Sequence, residues 1–368
     1  MPVTEPQVMA ALSRVKDPEI GKDVVSLGMI KDLNISGDQV GLTLELTTPA
    51  CPVSDSFKQS VHDAVAALPG VAAVAVKMTA QVRHAQAGQG GSAPAGGLAP
   101  NVRNIVAVGA GKGGVGKSTV AVNLAIALGK MGASVGLLDA DIYGPNVPNM
   151  MGINNPIQPK NGGIPLEEAY GVRVMSMGFF IPEGQAVVWR GPMIHGAIQQ
   201  MLRDVEWGDL DYLIVDLPPG TGDATLSLAQ LVPLTGAVMV LTPSEVALQD
   251  GAKAIAMFRK LNVPILGLIE NMSYFTCPHC NEAVDIFGRG ASKKICQKYD
   301  VEYLGDLPLD PTVRIGGDDG LPVVASAPEG AAAQAFLEIA RRLAGKISVL
   351  NLNKADAVAI NFSPLPKV

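Results

Sequence analysis

The stretch Gly111-Lys112-Gly113-Gly114-Val115-Gly116-Lys117-Ser118-Thr119 decides the fold of this chain. It fits the phosphate-loop pattern G-x-x-x-x-G-K-[ST] and follows directly on the apolar run Ile105 to Val108. Strand, glycine-rich turn and helix thus come in the order that a phosphate cradle requires. Loop amides in such a turn point at the α- and β-phosphates. The glycines let the backbone approach oxygen atoms where a Cβ would collide. Lys117 is placed to reach the β- and γ-phosphates and Ser118 to ligate Mg²⁺. Gly111, Gly113, Gly114, Val115, Gly116 and Thr119 complete the cradle. Lys112 is a second lysine at the start of the loop. One lysine is enough to hold a subunit's own nucleotide, so the early one points to two subunits sharing two nucleotides.

Outward from the loop, apolar runs alternate with helical segments. The runs are Ile105 to Val108, Val135 to Leu138, Val172 to Met175, Tyr212 to Val215, Ala237 to Leu241 and Ile265 to Ile269. Ser118 to Met131 and Ala224 to Gln230 read as helices between them. Near-continuous apolar strands separated by helices predict an α/β fold, a mostly parallel sheet with helices on both faces. Two runs end in carboxylates, at the sheet edge where ligands of such folds bind. Asp216 follows Tyr212 to Val215 and is expected to hold Mg²⁺ through a bound water. Gly220, in the turn after it, is expected to sense the γ-phosphate through its amide. Asp139 and Asp141 end the run from Gly136. Asp141 is the candidate for orienting the attacking water, and Asp139 for holding Mg²⁺ or its water shell. The plainer alternative is that both cap the following turn.

The 368 residues predict two to three domains. Residues 1–82 read as a small α/β domain, with Val40, Leu42, Leu44 and Leu46 on one face of a strand. Val53, Phe57, Val61, Val65 and Leu68 recur at helical spacing. Residues 83–100, rich in Gly, Ala and Gln, have little to bury and read as a flexible linker. Residues 101–344 form the large domain, and 345–368 remain unassigned, an arm or a tail. The net charge of −6 gives no support to wholesale nucleic-acid binding. No apolar stretch reaches the roughly 20 residues that span a bilayer. The start Met1-Pro2-Val3-Thr4-Glu5 lacks the features of a signal peptide. A cytoplasmic location without membrane or nucleic-acid partners is expected.

Four cysteines (Cys51, Cys277, Cys280, Cys296) are too few for a disulfide framework at this length. Cys277-Pro278-His279-Cys280 has the spacing at which two sulfurs reach one metal or cluster. A structural zinc or a [4Fe-4S] cluster wants four ligands, and one such pair supplies two. The same pair on a second subunit would complete the set about a twofold axis. Other readings stay open: a redox pair, a zinc site adding Cys296 and His279, or a chance pair. Spacing alone does not choose iron from zinc. Cys296, within the helical stretch Ala291 to Lys298, also reads as an ordinary buried cysteine.

Lys112 to Ser118 resembles the deviant phosphate loop of the MinD, ParA and nitrogenase iron protein class. Glu270-Asn271-Met272-Ser273 with the following Cys-Pro-His-Cys, Asp139 to Pro145, and Trp189-Arg190-Gly191-Pro192-Met193 resemble its Mrp/ApbC branch, the iron-sulfur cluster carrier ATPases. The resemblance implies ATP with Mg²⁺, and a homodimer in which Lys112 contacts nucleotide across subunits. It also implies Asp141 and Asp216 as switch carboxylates, Asn271 at the adenine, and a [4Fe-4S] cluster on Cys277 and Cys280 shared across the dimer. A cluster-donor scaffold and apoprotein acceptors are the implied partners. Ala110-Gly111 stands where the branch often shows Ser-Gly. Residues 5–80 resemble the MIP-type cluster-assembly domain through Asp17-Pro18-Glu19, Ser26-Leu27-Gly28-Met29 and Thr47 to Pro52. That likeness implies cluster delivery by Cys51, which lies just before a helix, where a thiolate is favoured. The rival function, a MinD/ParA-like regulatory switch with structural zinc, lacks a clear basic amphipathic helix for membrane docking. Intact Lys117, Ser118, Asp141 and Asp216 argue against a dead nucleotide site.

Overall fold

The computed structural model describes residues 3–18, 20–50, 54–82, 98–153, 164, 166–180, 191–280 and 282–361, without side chains at 191–192, 223–224 and 354–361. The chain divides into two compact units, Met1–Arg83 with Ala344–Val368, and His84–Leu343.

In the first unit, helices α1 (Glu5–Leu12) and α2 (Ser54–Ala66) accompany strands β1 (Ile30–Ser36), β2 (Gln39–Leu46) and β3 (Ala73–Ala80) in the order β1-β2-β3. The alternation read in β2 holds: Val40, Leu42, Leu44 and Leu46 are all buried, facing Phe57, Val61 and Val65 of α2 in one core. β1 pairs antiparallel and β3 parallel with β2. The residues left unassigned by sequence are helical as far as 361, and Leu352 joins this core. Ser348 Oγ donates to the Thr47 carbonyl at 3.4 Å.

The second unit begins with β4 (Val102–Gly109), α3 (Lys117–Lys130), β5 (Val135–Asp139), α4 (Val147–Met150), β6 (Glu167–Ala169) and β7 (Val172–Ser176). It continues through α5 (Gly191–Arg203), β8 (Leu210–Asp216), α6 (Asp223–Leu231), β9 (Gly236–Leu241), α7 (Glu245–Lys260), β10 (Ile265–Thr276) and β11 (Ala283–Val284). Last come α8 (Ala291–Tyr299), β12 (Tyr303–Pro308), α9 (Pro311–Asp318), α10 (Val323–Ser326) and α11 (Ala331–Asn361), whose residues from Ala344 onward belong to the first unit. One sheet runs β11-β10-β9-β4-β8-β5-β7-β6, with β12 also on β10. The pairings of β4, β5, β7, β8, β9, β10 and β12 are parallel; β6 and β11 add short antiparallel strands. Helices flank the sheet, with α3 packing on β4, β5, β7 and β8, and α7 on β9 and β10. Every residue of β5 and β9 is buried, which is why these runs lack alternation in the sequence. The carboxyl ends of β4, β5 and β8, and the middle of β10 at Asn271, therefore lie at the phosphate loop.

Candidate functional site: a phosphate cradle and a cysteine hairpin

The loop leaves β4 and turns into α3 at Lys117, with Gly114 and Gly116 in the left-handed region at φ +78° and +80°. A side chain at either position would be strained. The loop is also tightly embraced. A Cβ on Gly111 would lie 2.3 Å from the Asp250 carbonyl carbon in α7, and one on Gly116 would lie 2.2 Å from Asn271 Nδ2. Asn271 Nδ2 donates to the Val115 carbonyl at 2.9 Å, and Asn271 Oδ1 accepts from the Met272 amide at 3.0 Å. The residue that resemblance assigns to adenine thus buttresses the loop here.

Lys117 Nζ donates to Asp216 Oδ1 at 2.5 Å and to Ser118 Oγ at 3.2 Å. The pair is sealed from solvent, Lys117 being 7% and Asp216 1% exposed. Burial raises the Asp216 carboxyl, and Lys117 opposes that rise. Asp216 Oδ2 is buried with no hydrogen-bond partner. Such an orphaned carboxylate oxygen beside the Ser118 hydroxyl suits a metal-bound water, so these residues fit Mg²⁺.

Asp139 and Asp216 are register partners on β5 and β8. Burial first, and the Asp216 charge second, push the Asp139 carboxyl up to about 8. Its Oδ1 accepts the Asp141 amide at 3.1 Å; its Oδ2 accepts Ser176 Oγ at 3.0 Å and the Val147 amide at 3.3 Å. Asp139 therefore organises the turn after β5, and Ser176, which the sequence reading did not single out, helps it. Asp141 is half-buried, its carboxyl raised by burial and lowered by Lys117. The Gly220 amide donates to the Ala110 carbonyl at 3.1 Å. A γ-phosphate contact by that amide requires this bond to open. Lys112 is half-exposed at the loop entrance.

β10 leads from Asn271 to the cysteines. Phe275 and Thr276 pair with Val284 and Ala283, and the Cys277 amide donates to the Glu282 carbonyl at 2.9 Å. Cys277 to Cys280 thus occupy the turn of a hairpin, with Cys280 exposed and Cys277 half-exposed. Amides of Cys280 and His279 donate to the Cys277 sulfur and lower its pKa, stabilising the thiolate that a metal needs. The turn is not a helix start, so the redox-pair reading loses its structural basis. Cys296 lies on α8, 6% exposed, its sulfur 3.7 Å from the Glu302 carbonyl and its thiol pushed up to about 11 by burial. Among the described residues no three His, Cys, Asp or Glu side chains gather to hold a metal ion. The single-chain zinc set of Cys277, Cys280, His279 and Cys296 is therefore not assembled. Cys51, residues 83–97 and Trp189-Arg190 lie outside the described residues.

The sheet order, the loop and the strand-end carboxylates define a P-loop ATPase of the ParA/MinD class. A family model described as NUBPL iron-transfer P-loop NTPase matches residues 101–344, and one described as iron-sulfur cluster assembly protein matches residues 5–77. An iron-sulfur cluster carrier protein of Deinococcus radiodurans is 52% identical over 94% of this chain and 97% of its own length. One from Synechocystis is 48% identical over 95% of this chain and 99% of its own. A nucleotide-binding protein from Archaeoglobus fulgidus, solved in complex with ADP, is 35% identical with a TM-score of 0.54, covering 64% of this chain and 91% of that one. The chain belongs to the iron-sulfur cluster carrier family of ATP-hydrolysing P-loop proteins. No helix among the described residues is long and apolar enough to cross a membrane.

Proposed function

We propose that this protein works as a cytoplasmic homodimer that hydrolyses MgATP and carries a [4Fe-4S] cluster, as cargo, on Cys277 and Cys280 of both subunits. It takes the cluster from a donor scaffold and passes it to apoproteins. The observation that carries the reading is the place of the cysteine pair. Two thiols, half of a four-thiolate shell, face solvent in a hairpin at the end of the strand whose Asn271 holds the phosphate loop.

In the nucleotide cycle, Lys117 exchanges Asp216 for phosphate oxygens. Asp216 is then free to accept hydrogen bonds from water, and Asp141, next to Lys117, orients the attacking water. Ser118 and, through water, Asp216 are the residues that would hold Mg²⁺, which would supply positive charge against the transferring phosphoryl group. Lys112 supplies a positive charge to the partner's nucleotide. Gly220 releases Ala110 when its amide turns to the γ-phosphate. Asn271 keeps its Nδ2 on the Val115 carbonyl and offers its carboxamide oxygen to the adenine. Cys51 passes the cluster onward from the first unit.

Anaerobic reconstitution followed by iron, sulfide and zinc analysis tests this. About four irons per two chains are expected. They should be lost in Cys277→Ser and Cys280→Ser, with MgATP turnover retained. Stoichiometric zinc without iron uptake, or a cluster held by an isolated monomer, overturns the proposal.

A further inference from the structure

Glu270 precedes Asn271 in β10 and is completely buried. Its carboxylate takes three hydrogen bonds: Ser273 Oγ donates to Oε1 at 2.6 Å, the Gly290 amide to Oε1 at 2.8 Å, and the Ser292 amide to Oε2 at 2.8 Å. These donors straddle the cysteine hairpin. Ser273 lies where the chain enters it, and Gly290 and Ser292 lie where the chain leaves it for α8. Arg289 closes the same base, its guanidinium 3.1 Å from Asp306 and 4.6 Å from the centre of the Tyr274 ring. One buried carboxylate therefore fixes both ends of the segment that carries Cys277 and Cys280.

The neighbouring residue faces the other way in function. Asn271 grips Val115 of the phosphate loop, and Gly116 packs so closely that no Cβ fits between them. Just beyond the two grips β10 is irregular. Opposite β12, Glu270 pairs with Asp306 and Tyr274 with Pro308, so four residues on β10 span two on β12. Met272 sits in that bulge at φ +55°, a conformation uncommon for a non-glycine residue. A strained bulge is a place where strand geometry can change without breaking the sheet on either side.

We infer that Glu270 is a positioning residue through which the nucleotide state of the phosphate loop sets the geometry of the Cys277–Cys280 hairpin. Movement of Val115 and Gly116 displaces Asn271 and with it Glu270, its chain neighbour; the bulge at Met272 lets both shift without tearing the sheet, and Glu270 carries the hairpin base with it. The inference rests on the carrier reading for its purpose, but it concerns nucleotide and sulfur alone.

The test is iodoacetamide alkylation of Cys277 and Cys280 in the full-length, cluster-free chain, quantified peptide by peptide with MgADP and with a non-hydrolysable MgATP analogue. The wild-type rates are expected to differ between the two states by about fivefold or more, the lower end of ordinary coupling between sites. In Glu270→Gln the carboxamide can accept at only one atom, so the ratio should fall towards unity. MgATP turnover should stay within about twofold, since Glu270 touches neither the loop nor the carboxylates. A merely structural role would raise both rates together and leave their ratio intact. If Glu270→Gln does not fold, Ser273→Ala removes one donor and should give an intermediate ratio at native turnover. A wild-type ratio of unity, or an unchanged ratio in the folded variant, overturns the inference. Iron content, measured separately, decides the carrier reading, so the two can fail independently.

Discussion

Replacing Lys117 with methionine keeps the length and most of the volume of the side chain and removes its charge. In the nucleotide-free protein this charge lies 2.5 Å from Asp216, a carboxylate 1% exposed whose second oxygen already lacks a partner. Breaking a buried pair from one side leaves an uncompensated charge and costs about 3–5 kcal/mol. Exposed pairs such as Arg314–Asp318 contribute about 0–1 kcal/mol, so the effect of Lys117→Met is distinctive. It is also pH-dependent, with a fixed sign. Burial already raises the folded carboxyl of Asp216 above its ordinary 3.8, and loss of Lys117 raises it further. Between 3.8 and that raised value the folded variant keeps a proton that the unfolded chain has released, so its stability falls as pH rises. The deficit against wild type should be larger at pH 8 than at pH 5, shrinking on acidification as Asp216 becomes neutral. Urea unfolding of both proteins without nucleotide, at pH 5 to 8, measures it. A deficit below about 1 kcal/mol at pH 8, or one that grows on acidification, would show that the ion pair is not the resting state of the site.

Two further substitutions probe the same region. Asp139, pushed up to about 8, should make the nucleotide-free protein lose stability as pH climbs from about 4 towards 8, by up to about 6 kcal/mol. Asp139→Asn should flatten that slope in thermal melts across the same range. Gly111→Ala should lower the melting temperature by several degrees and weaken ADP binding, because the added Cβ meets Asp250 and Gly251 backbone atoms that cannot rotate away. Gly113→Ala is the control for stability, its Cβ meeting only Pro219 at 3.9 Å, and a drop equal to that of Gly111→Ala would contradict the packing argument.

Where a single local rule governs a segment, the sequence already discloses it. The phosphate loop carries its own geometry, and the all-buried strands β5 and β9 appear as uninterrupted apolar runs. Two rules in competition hide a segment. β1 is hidden because Asp32, at φ +47°, and the register shift between Lys31 and Asn34 break its alternation. The helix beyond residue 344 buries Ala344, Ile347, Ser348, Asn351 and Leu352 at helical spacing, but Ser348 and Asn351 make that stripe look polar. β10 is the most instructive case. The sequence marks a strand only over Ile265 to Ile269, and Glu270-Asn271-Met272-Ser273 then reads as a break. In the fold the strand continues, because each polar group has found a partner: Val115 for Asn271, and Gly290 and Ser292 for Glu270. Those partners lie 156, 20 and 22 positions away, so no local pattern could announce them. A buried carboxylate in a parallel strand is expensive unless fully satisfied. A fold that needed only stability could have an apolar residue there. Glu270 and Asn271 stand side by side, Asn271 holding the phosphate loop and Glu270 the base of the cysteine hairpin, and the proposed coupling rests on that adjacency.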